Sequence, residues 1–181
     1  HYRHYMAAAS ISSRARHWLV IGPWDHAGTR TPKAEFGGLK FGPDSLLGIP
    51  KLHWDWYRYA MQNGSKPAFL KKPVAYYVTG AEKWRYANSL DGITHEMRPL
   101  YLQSANAADD VLASGALVPD HAAGGPDNYI YDPRDMSTAQ IEANIDANSL
   151  TDQTMAYAFR GKALYYHSAP FKQATELSGF F

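Results

Sequence analysis

The stretch LVIGPWDHAGT, residues 19–29, sets the tightest limit on how this chain can fold. His17 to Ile21 is a nearly continuous apolar run, the pattern of a strand buried on both faces. Gly22-Pro23 must end that strand, because proline has no N–H for a ladder and glycine relaxes the backbone. Trp24, Asp25 and His26 are thereby placed on a turn just past the strand's carboxyl end. Open α/β sheets put ligands and catalytic groups at that end of their strands. An imidazole suits a general base there, since its ordinary pKa lies near neutrality. The plainer reading makes His26 a polar residue on a surface turn.

The flanking sequence predicts an α/β unit around this strand. Tyr2, Tyr5, Met6 and Ala9 fall on one helical face, and SISSRAR (10–16) is a polar break. From Gly28 to Gly48 the chain is rich in Gly, Pro and Thr, the composition of a long irregular and often functional loop. Pro50 suits the first turn of a helix whose stripe is Leu52, Trp56, Tyr59, Ala60 and Asn63, with Gly64 placed to stop it. GSKPAFLKKP reads as a linker. Beyond Pro73 the texture turns to strands: VAYYVTG, EMRPLYLQS, GALVPD, NYIYDP, ALYYHSAP and TELSGFF, with one helical segment at STAQIEANI. Irregular spacing favours a jelly-roll or sandwich over a repeat array. The expected organisation is therefore the last strand, histidine loop and helix of an α/β domain over residues 1–64. A linker follows over 65–72, and an incomplete all-β jelly-roll over 73–181. The chain opens inside a helix and closes in a strand-like segment, so a piece of a longer protein is expected.

Composition removes several classes. Eighteen basic against seventeen acidic residues leave a formal charge of +1 with no long run of one sign. Neither a nucleic-acid partner nor a membrane-surface helix is expected from that balance. No apolar stretch is long enough to span a bilayer. The chain has no cysteine, which excludes thiolate metal sites and a cysteine nucleophile. His1 and His4 stand three apart on a helix, but no further ligand at useful spacing joins them, so no metal and no other cofactor is expected.

The segment VIGPWDHAG resembles the histidine loop of the X-Pro dipeptidyl-peptidase and cocaine-esterase family of serine hydrolases. KLHWDWYRYAMQNG is similar to the last helix of that family's hydrolase domain. KKPVAYYVTGAEKWRYANSL is similar to the opening of its C-terminal jelly-roll, and LYYHSAPFKQATELSGFF to a later strand pair. The resemblance spans most of the chain in family order, with little contribution from 105–155. It implies an α/β-hydrolase tail followed by part of a jelly-roll. The implied chemistry is a Ser-His-Asp triad, in that family in the order Ser, Asp, His, acting on an ester or amide through an acyl-serine. His26 would be its histidine, taking the serine proton and returning it to the leaving group. The departure from the family is large. No G-x-S-x-G occurs: GPDSLLG has the wrong spacing and SISS has no flanking glycines. Asp25 is a poor substitute for the triad acid, because adjacent residues on a turn seldom aim at each other. Only one triad member is expected here, so the chain alone should be inert.

Other features divide between two readings. Trp24 either lines a substrate pocket beside His26 or packs the loop onto the sheet. His53, Trp54, Asp55 and Trp56 are consecutive on a helix and should separate between core and solvent. Tyr76, Tyr77, Trp84 and Tyr86 suggest either a carbohydrate platform or the alternation of a half-buried strand. The rival to the hydrolase is thus a non-catalytic β-sandwich module binding a ligand or carbohydrate. Its weakness is the histidine loop, for which such a module has no need. Ester versus amide, compartment and homo-oligomer formation are left open.

Overall fold

The computed structural model describes residues 1–105, 107–121, 123–146 and 148–178. It is a mixed α/β protein with three small sheets and few helices. The described chain divides into two units: His1–His95, joined by the segment from Ser178, and Glu96–Leu177.

In the first unit α1 spans Tyr2–Ala8, and Tyr2, Met6 and Ala9 are its half-buried face. The polar break carries a further short helix, α2 (Ile11–Arg14). Ser10 caps it, its Oγ accepting from the Ser13 N–H at 3.2 Å. Strand β1 (Leu19–Ile21) follows as expected, but it is not buried on both faces. It lies at the edge of a three-stranded sheet ordered β1-β4-β5, and Ile21 is 41 % exposed. The 28–48 loop contains a hairpin, β2 (Glu35–Phe36) with β3 (Leu39–Lys40). Gly37 and Gly38 turn it with φ of 58° and 83°, a left-handed pair that glycine supplies without strain.

Helix α3 (Ile49–Gln62) begins with Pro50 in its first turn. It ends at Asn63, which takes the left-handed cap at φ 54°. Gly64 then donates its N–H to the Arg58 carbonyl at 3.0 Å, closing the helix one residue later than Asn63 turns it. The segment expected as a free linker is anchored instead: Pro67 and Leu70 are buried, Leu70 to 2 % exposure. Phe69 between them packs its ring on Trp84 and Tyr86 of the following hairpin strand, which holds the stretch against the sheet.

β4 (Val74–Val78) pairs in parallel with β1 and antiparallel with β5 (Lys83–Ala87). β1, α3 and β4 thus form one β-α-β unit, and the first strand expected of the all-β domain belongs to the sheet of the histidine loop. The division between units accordingly falls after His95 and not at residues 65–72. Val74, Ala75, Tyr77 and Ala87 are the buried centre of the sheet, while Tyr76 is half-buried.

The second unit holds β6 (Tyr101–Gln103), β7 (Gly115–Val118) and β8 (Tyr166–His167). β7 is central, antiparallel to β6 and parallel to β8. Helix α4 (Ser137–Asn144) lies where STAQIEANI predicts it, and α5 (Thr154–Ala158) is unanticipated. This unit is therefore not all-β. NYIYDP forms no strand, and Ile130 and Tyr131 stand at least four-fifths exposed. Its Tyr and Ile satisfy β propensity, but among the described residues no strand pairs with it. Of TELSGFF, residues 175–178 are not a strand and 179–181 lie outside the described residues. No described helix is long and apolar enough to cross a membrane.

Candidate functional site

Because β1 and β4 run in parallel, the loop after Ile21 and the turn after Val78 leave the sheet at the same end. The first of these holds His26. Beyond Pro23 the chain makes a single helical turn, with Thr29 N–H donating to the Asp25 carbonyl at 3.2 Å and Thr31 N–H to that of Ala27 at 3.1 Å. Asp25 caps this turn, its Oδ1 accepting the Gly28 N–H at 2.5 Å. The carboxylate is thereby directed at the backbone, not at the neighbouring imidazole. Thr29 Oγ1 ties the turn from the other side by donating to the His26 carbonyl at 2.7 Å. His26 itself is exposed, and no described residue hydrogen-bonds its ring.

Trp24 satisfies both of its readings. Its Nε1 donates to the Ser45 carbonyl at 3.0 Å and its ring meets Trp84 at 5.8 Å, which fixes the loop. It also lines a cavity of about 520 Å³ between β1 and α3. Gly22 permits this: a Cβ there would lie 2.5 Å from the Trp24 ring. Trp18 and Trp56 line the same cavity, with Val20 and Leu52 between and Thr29 and His53 as polar members. His26 is not among the lining residues.

The turn after Val78 carries the strongest polar cluster of this unit. Glu82 adopts a left-handed φ of 51°, which aims its carboxylate back across the hairpin. Oε2 accepts from Tyr77 Oη at 2.8 Å and from the Gly42 N–H at 2.8 Å, and Oε1 from the Gly80 N–H at 2.6 Å. The Gly42 N–H also reaches Tyr77 Oη at 3.1 Å. These donors, the Gly42 amide foremost, hold the Glu82 carboxyl below the usual carboxylate range. Burial first, then the bond to Glu82, pushes the Tyr77 hydroxyl up to about 12. The cluster fastens the loop that begins at His26 to the β4–β5 hairpin.

Other sequence candidates fall elsewhere. His1 and His4 are exposed on α1, and among the described residues no three metal-ligating side chains gather. Ser45 of GPDSLLG is fully buried and beyond reach of any substrate. Trp54 is 71 % exposed while Trp56 turns to the cavity, and Asp55 pairs with Lys51 one helical turn away. The aromatics of β4 and β5 do not form a flat platform. Phe69 meets Trp84 edge to face at 4.9 Å, and Tyr77 meets Trp84 likewise at 5.4 Å.

Trp18 is the cavity tryptophan that the sequence pattern does not single out, while His53 is one of the four consecutive helix residues expected to divide between core and solvent. Trp18 was read only as part of the strand run, and His53 precedes Trp56 by three positions on the helix face that carries Leu52. In the second unit Ser114 Oγ, just ahead of β7, and His167 Nδ1 of β8 are 2.7 Å apart, and no sequence pattern links them.

Compared with family models and with curated proteins, the sequence matches none.

Proposed function

We propose that this chain is the histidine-bearing part of a serine hydrolase. It would comprise an α/β-hydrolase tail and part of a jelly-roll, resembling the X-Pro dipeptidyl-peptidase and cocaine-esterase family. The observation that carries this reading is the placement of His26: exposed, on a capped turn, directly after a strand that runs parallel to its neighbour. In this role His26 removes the proton of a serine hydroxyl as that oxygen attacks an ester or amide carbonyl. It then delivers the proton to the departing alcohol or amine. Serine and acid come from polypeptide other than these residues, so the chain supplies the base alone. Asp25 keeps the turn in shape and takes no part in the proton transfer.

Labelling with a fluorophosphonate, read as intact mass, tests the proposal. The native protein carrying this chain should gain one phosphonyl group on a serine outside it, and His26→Ala should abolish the adduct. The 181-residue chain alone should stay unlabelled at 20.2 kDa. An adduct that survives His26→Ala, or one on a serine within this chain, would sink the proposal. The absence of any adduct on the native protein would favour the non-catalytic binding module.

A further inference from the structure

We propose that the cavity between β1 and α3 is a binding site for a small, uncharged aromatic molecule bearing one hydrogen-bond acceptor. The inference does not depend on the hydrolase reading, because His26 is not among the residues that line the cavity.

Size comes first. About 520 Å³ lies within the range of small-molecule sites, roughly 300–1,000 Å³. The walls come next. Three of the chain's five tryptophans, Trp18, Trp24 and Trp56, face this one space. Each is braced by another ring: Trp18 edge-on by Tyr59 at 5.7 Å, Trp56 by Tyr57 at 5.3 Å, and Trp24 by Trp84 at 5.8 Å. Trp24 is further pinned through its Nε1 bond to Ser45. Aromatic walls held in place lose little freedom when a ring docks, and ring pairs attract beyond the area they bury.

Charge decides the ligand class. The lining contains no Asp, Glu, Lys or Arg, so an ion entering it would give up water without gaining a carboxylate, ammonium or guanidinium counter-charge. Besides the indole N–H groups, two polar side chains remain, Thr29 and His53. Thr29 Oγ1 already donates to the His26 carbonyl. His53 is exposed in the first turns of α3, and its ring, like the indole N–H groups of Trp18 and Trp56, can donate to a carbonyl or amide oxygen. One acceptor on an otherwise apolar ring system fits that pair.

Indole correlation spectra of the ¹⁵N-labelled chain, titrated with naphthalene-2-carboxamide, test this directly. The Nε1–H signals of Trp18, Trp24 and Trp56 should shift and saturate together, while that of exposed Trp54 stays still. The saturated analogue, decahydronaphthalene-2-carboxamide, should bind about fivefold more weakly for lack of ring stacking. His53→Ala, an exposed substitution that leaves the fold intact, should weaken the aromatic amide by about fivefold. Leu52→Trp, which fills the space, should remove binding. Uniform non-saturating shifts at all five indoles, or none at all, would overturn the site. Equal affinity for the saturated analogue would overturn the aromatic class, and an unchanged His53→Ala would overturn the role of its ring. Naphthalene-2-carboxylate binding as tightly as the amide would overturn the requirement for an uncharged ligand.

Discussion

Replacing Glu82 should loosen the loop that carries His26, by an amount the geometry fixes. In Glu82→Ala three donors lose the same acceptor: Tyr77 Oη, Gly42 N–H and Gly80 N–H. Gly80 is exposed and turns to water at little cost, whereas Tyr77 is buried and Gly42 half-buried. Tyr77 Oη can still accept from Gly42, which softens the loss. Leaving a buried donor unpaired costs about 1–3 kcal/mol, so about 2 kcal/mol is expected. Glu82→Gln keeps a carbonyl oxygen but not the charge, and charge-assisted bonds are about twice as strong as neutral ones. It should cost about 1 kcal/mol. Glu82→Gly loses the same bonds as alanine but relieves the left-handed φ, so it should recover up to about 1 kcal/mol relative to Glu82→Ala.

Urea unfolding followed by tryptophan fluorescence reads these differences, since Trp24 and Trp84 both flank the loop. The pH dependence adds a sign. The folded Glu82 carboxyl titrates below its ordinary value of 4.5, so its stabilisation is complete above that pH and fades as pH falls through the lower folded value. The gap between wild type and Glu82→Gln should therefore close on acidification. Tyr77 titrates at about 12 against 10.0 when free, so its contribution is complete below pH 10 and is lost as pH rises toward 12. Tyr77→Phe should flatten that alkaline limb. Wild type and Glu82→Gln unfolding at one urea concentration at every pH would refute the reasoning.

Three further substitutions follow from the loop. His26→Ala should leave stability within about 0.5 kcal/mol of wild type by the same urea assay, because the side chain is exposed, while abolishing phosphonate labelling of the native protein. Asp25→Ala should cost about 1 kcal/mol in urea unfolding by removing the cap on Gly28, and Asp25→Asn should restore most of it, since an amide oxygen also accepts. Ser45→Ala should raise the urea midpoint by about 1 kcal/mol of stability, because the Ser45 hydroxyl is buried with no partner among the described residues. A loss of stability in Ser45→Ala would mean that the hydroxyl is satisfied.

What the sequence made legible was local. Pro50, the stripe from Leu52 to Tyr59 and the stop near Gly64 fix α3 by propensity, periodicity and capping, all read within one turn of the residues involved. Gly22-Pro23 likewise ends β1 without help from distant contacts. Pairing was not legible, because it depends on residues far apart. A short apolar run cannot reveal whether its strand is central or at an edge, so Ile21 was expected inside and is exposed. NYIYDP has strand composition but no partner strand among the described residues, and β propensity is largely a statement about partners. The same limit governs the site. His26 could be found from its position after a strand. The cavity could not, because Trp18 and Trp56 are 38 residues apart and share a wall only once β1 and α3 have met. Asp25 shows how the two scales combine: adjacency to His26 on a turn already made it a poor partner for the imidazole, and the structure shows where its carboxylate goes instead, onto the Gly28 amide.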